Sequence, residues 1–140
     1  MLVLVDTPIW SAALRRRGVG PIELELIAEL RQLIQDGNAC VIGPVRQEIL
    51  SGIAEASVFR RIRDQLRAFS DLPLGTHDFE AAAELYNKCR KRGVAASQVD
   101  LMICAAALRE EIPVFTTDRD FDRYSSVLGV ALHRVRARKG

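Results

Sequence analysis

The chain predicts a three-layer α/β fold with a parallel sheet. Short apolar runs at Leu2–Val5, Ala39–Ile42 and Pro113–Thr116 read as strands. They alternate with segments of helical apolar spacing, the order expected of βα units. The length of 140 residues and a hydrophobic content of 49% suit one domain, residues 1–140, with a real core.

Leu2–Val5 is the first strand and Asp6 ends it. Thr7 and Pro8 mark a helix start, with Thr7 as N-cap and Pro8 at the first helical position. That helix carries Ile9, Trp10, Ala13 and Leu14 and stops near Gly18; Pro8 and Trp10 suggest no function. Pro21 opens a second helix, whose Ile22, Leu26, Ile27, Leu30, Leu33 and Ile34 follow the helical period until Gly37. Ala39–Ile42 is the second strand, and Gly43-Pro44 turns into a helix through Ile49 and Leu50. A further helix covers about residues 54 to 69. Leu72-Pro73-Leu74 suits only an edge or a strand end, because proline removes a ladder donor. Thr76 caps a helix from about Asp78 to Arg92, which Gly93 terminates. Ser97 caps the next, which carries the apolar run Leu101–Leu108. The strand Pro113–Thr116, a short helix from Asp118 to about Ser126 and a last strand over Val130–Val135 complete the chain before a basic tail.

No apolar run approaches the length of a membrane span. Met1 to Asp6 lacks the basic start of a signal peptide, so a soluble cytoplasmic protein is expected. Cys40, Cys89 and Cys104 are odd in number and form no CxxC pair, and His77 and His133 are isolated. Buried free thiols are expected rather than a zinc site or disulfides. Net charge is only +2, but basic residues cluster at Arg15-Arg16-Arg17, at Arg60, Arg61, Arg63 and Arg67, at Lys88 to Arg92, and at Arg134, Arg136, Arg138 and Lys139. Such clusters can grip a phosphate backbone, and equally serve as solvated helix faces.

The acidic residues carry the chemistry. Asp6 and Asp118 each end an apolar strand, and ligand sites of open parallel sheets lie beyond those ends. Each also suits a turn or a helix cap. Asp120 and Asp122 add charge that is unfavourable without a cation or basic partner; Asp122 equally fits plain surface. Asp100 stands three residues after Ser97, where a capping box also explains it. Glu48 would be an ordinary exposed helical residue but for its place just after the second strand. If the strands are parallel, all four can converge at one edge. Crowded carboxylates raise one another's pKa, and an oxygen-seeking cation such as Mg2+ or Mn2+ removes that penalty. Metal held this way can activate water for phosphodiester hydrolysis.

Other chemistries fit poorly. There is no P-loop, no GxSxG elbow, and Gly18-Val19-Gly20 lacks the third glycine of a dinucleotide fingerprint. A phosphate-accepting receiver domain needs several acids after the first strand and a late lysine in the body of the fold. Here Asp6 stands alone and Lys139 lies in the tail.

The ordered set Val3-Leu4-Val5-Asp6-Thr7, Glu48, Val99-Asp100-Leu101-Met102 and Thr116-Thr117-Asp118-Arg119-Asp120-Phe121 resembles the PIN-domain ribonucleases, most closely the VapC-type toxins of toxin–antitoxin pairs. The resemblance runs over nearly the whole chain; its order is specific although no single piece is. It implies an α/β/α PIN-like fold with about five parallel strands, the first and fourth side by side. It implies Asp6, Glu48, Asp100 and Asp118 as catalytic acids, with Asp6, Asp100 and Asp118 holding Mg2+ or Mn2+. Thr7 and Thr116 match supporting hydroxyls, and Asp120 matches a further acidic position. The implied activity is cleavage of single-stranded or looped RNA by metal-activated water, in a homodimer silenced by a cognate antitoxin laid across the early helices. The alternative is a catalytically inactive PIN-like scaffold that binds RNA or protein.

Overall fold

The structure, a computed structural model, describes residues 1–15 and 20–135. Its strands are β1 (Val3–Val5), β2 (Ala39–Ile42), β3 (Asp71–Leu72) and β4 (Val114–Phe115). They run parallel in the order β3-β2-β1-β4. Seven helices flank them among the described residues: α1 (Thr7–Arg15), α2 (Pro21–Gln35), α3 (Gly43–Leu50), α4 (Ala56–Leu66), α5 (Thr76–Lys91), α6 (Gln98–Glu110) and α7 (Asp120–Leu128).

The strand residues Val3, Leu4, Val5, Val41, Ile42, Val114 and Phe115 are all buried, as a parallel sheet covered on both faces requires. Leu4 sits opposite Cys40 on one side and Val114 on the other, so β1 is central. The chain leaves β1 toward β2 and β3, then crosses to β4 on the far side of β1. That reversal opens a crevice between the carboxyl ends of β1 and β4.

α6 is apolar all round, with Leu101 and every residue from Ile103 to Ala107 buried, and α5 packs along it. Its three consecutive alanines allow that close approach. Trp10 proves to be a core residue: its indole Nε1 donates to Val5 O at 3.1 Å, and its ring meets Phe69 at 5.0 Å. Arg46 ties α3 to its neighbours, donating to Asp71 Oδ1, Leu66 O and Phe69 O. The three cysteines are free and buried, as expected. No helix among the described residues is long and apolar enough to cross a membrane.

Several expectations change. The expected three-layer fold with a parallel sheet is present, with four strands among the described residues, a small difference from about five. Val130–Val135 contributes a single parallel bridge, Leu132 to Val114, because the two-residue β4 offers a short edge on which no ladder can extend. Thr7 is the first residue of α1 rather than its cap. The Asp6 carboxylate takes the Thr7 N–H at 2.8 Å, and the Thr7 hydroxyl is directed elsewhere. α5 likewise begins at Thr76, and Asp78 Oδ2 accepts the Gly75 N–H at 2.8 Å. Ile22 and Ile34 of α2 share the helical period but stay exposed, Ile22 at 72%. Ser97 does cap α6, accepting the Asp100 N–H at 3.1 Å. Gly93 ends α5 at φ +72°, in the left-handed region that favours glycine. Of the basic clusters, Arg16, Arg17, Arg136, Arg138 and Lys139 lie outside the described residues.

Candidate active site

Asp6 closes β1 at the mouth of the crevice. Its backbone N–H donates to Phe115 O at 2.9 Å, which pins it over the end of β4. Its Oδ1 accepts from Thr7 N–H, and its Oδ2 accepts from the Thr116 hydroxyl at 2.8 Å. The same Thr116 oxygen accepts the Asp118 N–H at 3.0 Å. One threonine, 110 residues from Asp6 in sequence, thus links the two aspartates.

Asp6 is 4% exposed. Burial raises its pKa from 3.8 to about 6; the bonds from Thr116 and Thr7 oppose that rise, and the charges of Asp100 and Glu48 add to it. Asp100 enters from the first turn of α6. Its pKa is also raised, first by burial and further by Asp118 and Glu48, against hydrogen bonds led by the Tyr124 hydroxyl. The charge of Glu48 acts on both Asp6 and Asp100, and that of Asp118 acts on Asp100.

Asp118 Oδ1 accepts the Asp120 N–H at 2.9 Å in the turn before α7, whose N-cap is Arg119. Carboxylate oxygens of Asp100, Asp118 and Asp120 all lie within 4.8 Å of one another. This tight triple contains Asp120 where the sequence expectation placed Asp6. Asp6 lies deeper, with both oxygens already accepting hydrogen bonds. All donors in the triple are carboxylate oxygens, a set that suits a hard divalent cation and lacks the thiolates or imidazoles of a zinc site. Asp122 is exposed and stands outside the triple.

Glu48 is exposed on α3, and its Oε1 accepts from the Thr7 hydroxyl at 2.8 Å. Beside it runs an open groove of about 530 Å3, lined by Thr7, Pro44, Gln47, Glu48, Ser51, Val99 and Met102. Thr7 thus bridges the two, its N–H donating to Asp6 and its hydroxyl to Glu48 at the groove.

Two residues escaped the sequence reading. Arg123 donates to Asp120 Oδ1 at 2.7 Å. Tyr124 donates to Asp100 Oδ2 at 2.8 Å. Both lie one turn after Asp120, at the i+3 and i+4 spacing that puts side chains on a common helix face. That spacing was the available signal. The Lys88, Arg90 and Lys91 cluster occupies the last turn of α5, where cations oppose the negative end of the helix dipole.

Among curated proteins, none matches the chain by sequence. Solved structures share its fold. FitAcB from Neisseria gonorrhoeae superposes with a TM-score of 0.75 at 18% identity, covering 95% of this chain and 97% of that one. VapBC2 from Rickettsia felis, bound to a DNA fragment from its promoter, gives 0.73 at 17% identity, with 95% and 98% covered. A toxin–antitoxin complex from Klebsiella pneumoniae gives 0.65 at 18% identity, with 92% and 95% covered. A model of the PIN domain matches residues 3–127, a span that includes every acidic side chain of the crevice, and the chain belongs to the PIN-domain family.

Proposed function

We propose that this protein is a divalent-metal-dependent endoribonuclease, the toxin of a toxin–antitoxin pair. The observation that carries the reading is the close set of carboxylate oxygens of Asp100, Asp118 and Asp120, with buried Asp6 tied to Asp118 through Thr116 and Glu48 bonded to Thr7. A nuclease of this kind must neutralise the charge of a phosphodiester and supply a nucleophile at neutral pH. A Mg2+ or Mn2+ ion, when bound, supplies both, as Lewis acid and as activator of water.

Asp100, Asp118 and Asp120 would hold such an ion, with Asp6 as a further ligand. Thr116 sets the Asp6 and Asp118 ends of the pocket relative to each other. Glu48, positioned by Thr7 at the rim, orients the attacking water and accepts its proton. Arg123, already against Asp120, offers a basic partner for a phosphate. The groove along α3 and α6 receives the RNA strand beside the reacting phosphate. Water as nucleophile leaves a 3′-hydroxyl and a 5′-phosphate, and the 2′-hydroxyl is not needed.

The partner reading rests on the toxin–antitoxin complex whose fold this chain shares. Ile22 and Leu24, 72% and 57% exposed in the first turn of α2, offer apolar contact for an antitoxin segment. A homodimer acting in the cytoplasm completes the reading.

The test is a digest of total RNA by wild-type and Asp6→Asn protein, with Mn2+ or with EDTA. Cleavage by wild type with Mn2+ alone is the expected pattern. Cutting that persists in EDTA, or Asp6→Asn protein that cuts at the wild-type rate, would refute the mechanism.

A further inference from the structure

Tyr124 is fully buried in α7, and its ring meets Phe121 edge-on with centroids 5.0 Å apart. Its hydroxyl donates to Asp100 Oδ2 at 2.8 Å. A buried tyrosine needs a partner for its hydroxyl. Here the partner is a carboxylate of the acidic triple, offered from α6, a different helix.

We propose that Tyr124 is a positioning residue for the cation site, acting through Asp100. The proposal rests on the metal reading above. Three facts support it. Asp100 has one oxygen held by a side chain whose ring is itself locked in the core, so the carboxylate has little freedom to rotate away from Asp118 and Asp120. α7 also carries Asp120, and its first turn is bonded to Asp118. One rigid helix therefore supplies one ligand, is anchored to a second and orients a third. Nothing in the nuclease steps uses the phenol itself. Hydrogen-bonding partners of metal ligands commonly set affinity by fixing the ligand before the ion arrives.

Tyr124→Phe tests this, because it removes the hydroxyl and keeps the ring and its Phe121 contact. Mn2+ binding is measured by calorimetry on metal-free protein. The expected result is a Kd weaker by roughly tenfold. The Mn2+ concentration for half-maximal RNA cleavage rises by the same factor, while kcat at saturating Mn2+ changes by less than about threefold. The Tm without metal serves as the measure of packing. A Kd within about twofold of wild type overturns the proposal, and so does a fall in kcat at saturating Mn2+ with Kd unmoved. A second check combines Tyr124→Phe with Asp100→Asn. With no carboxylate left to orient, the tyrosine effect on Kd should vanish; losses that simply add would overturn the proposal. Wild-type protein that binds no Mn2+ would end the metal reading, and this inference with it, whereas normal wild-type binding with an unaltered variant ends the inference alone.

Discussion

At Asp6, folding places a carboxylate where water barely reaches, with two more acids nearby. Its pKa rises from 3.8 to about 6, so the folded metal-free protein holds that proton more tightly than the unfolded chain does. The stability from this group is fully present below about pH 4 and is lost as pH climbs through about 6, on the order of 3 kcal/mol. Asp100 shifts in the same direction and adds to the slope. Thermal melts in EDTA from pH 4 to pH 8 should show this decline. Asp6→Asn should flatten it and raise the Tm at pH 7, even as it abolishes cleavage. A variant that melts lower than wild type at pH 7 would contradict the electrostatic account. Thr116 is the complementary case. Thr116→Val removes the hydroxyl that links Asp6 to Asp118, and should cost roughly 10- to 100-fold in cleavage rate or Mn2+ affinity. Thr116→Ser should retain most of both, and equal losses in the two variants would show that the methyl group, not the hydroxyl, matters.

Between elements, single side chains do the joining. Arg46 on α3 reaches the end of α4 through Leu66 O, the following turn through Phe69 O, and β3 through Asp71. Two partly buried carbonyls and an exposed carboxylate lose their donor in Arg46→Ala. We expect a loss of about 2–3 kcal/mol in urea unfolding, and a change below half of that would show the contacts to be replaceable by water. α6 ends at Glu111, the one described non-glycine residue with positive φ, at +54°. A glycine adopts that conformation without a Cβ clash. Glu111→Gly should therefore raise stability, or at least leave it unchanged, within about 1 kcal/mol. A clear destabilisation would mean that the Glu111 side chain makes a compensating contact.

For the whole molecule, the proposed cation site would make folding and cation binding linked events. A metal held as proposed would bind the folded state, in which Asp100, Asp118 and Asp120 lie together, and have little affinity for a chain in which they are apart. At a Mn2+ concentration of about 100 times Kd, the gain is about 2.7 kcal/mol, seen as a rise of several degrees in Tm that EDTA reverses. A Tm indifferent to Mn2+ and Mg2+ would count against a cation site in the crevice. The dependence should be steeper above pH 6, where Asp6 is ionised before the ion arrives.

Sequence alone determined the order of strands and helices and the candidate acids, because these are written in local signals. Apolar runs mark buried strands, glycine and proline mark boundaries, and Ser97 with Asp100 marks a helix start. The strand reduced to one bridge, the Thr7 hydroxyl turned toward Glu48, and the places of Arg46, Arg123 and Tyr124 were decided by tertiary structure. So was the membership of the tight triple, in which Asp120 joins Asp100 and Asp118. The reason is distance along the chain. Which oxygen meets which donor depends on the register of β1 against β4 and the packing of α6 and α7, and no local pattern encodes a contact between Asp6 and Thr116.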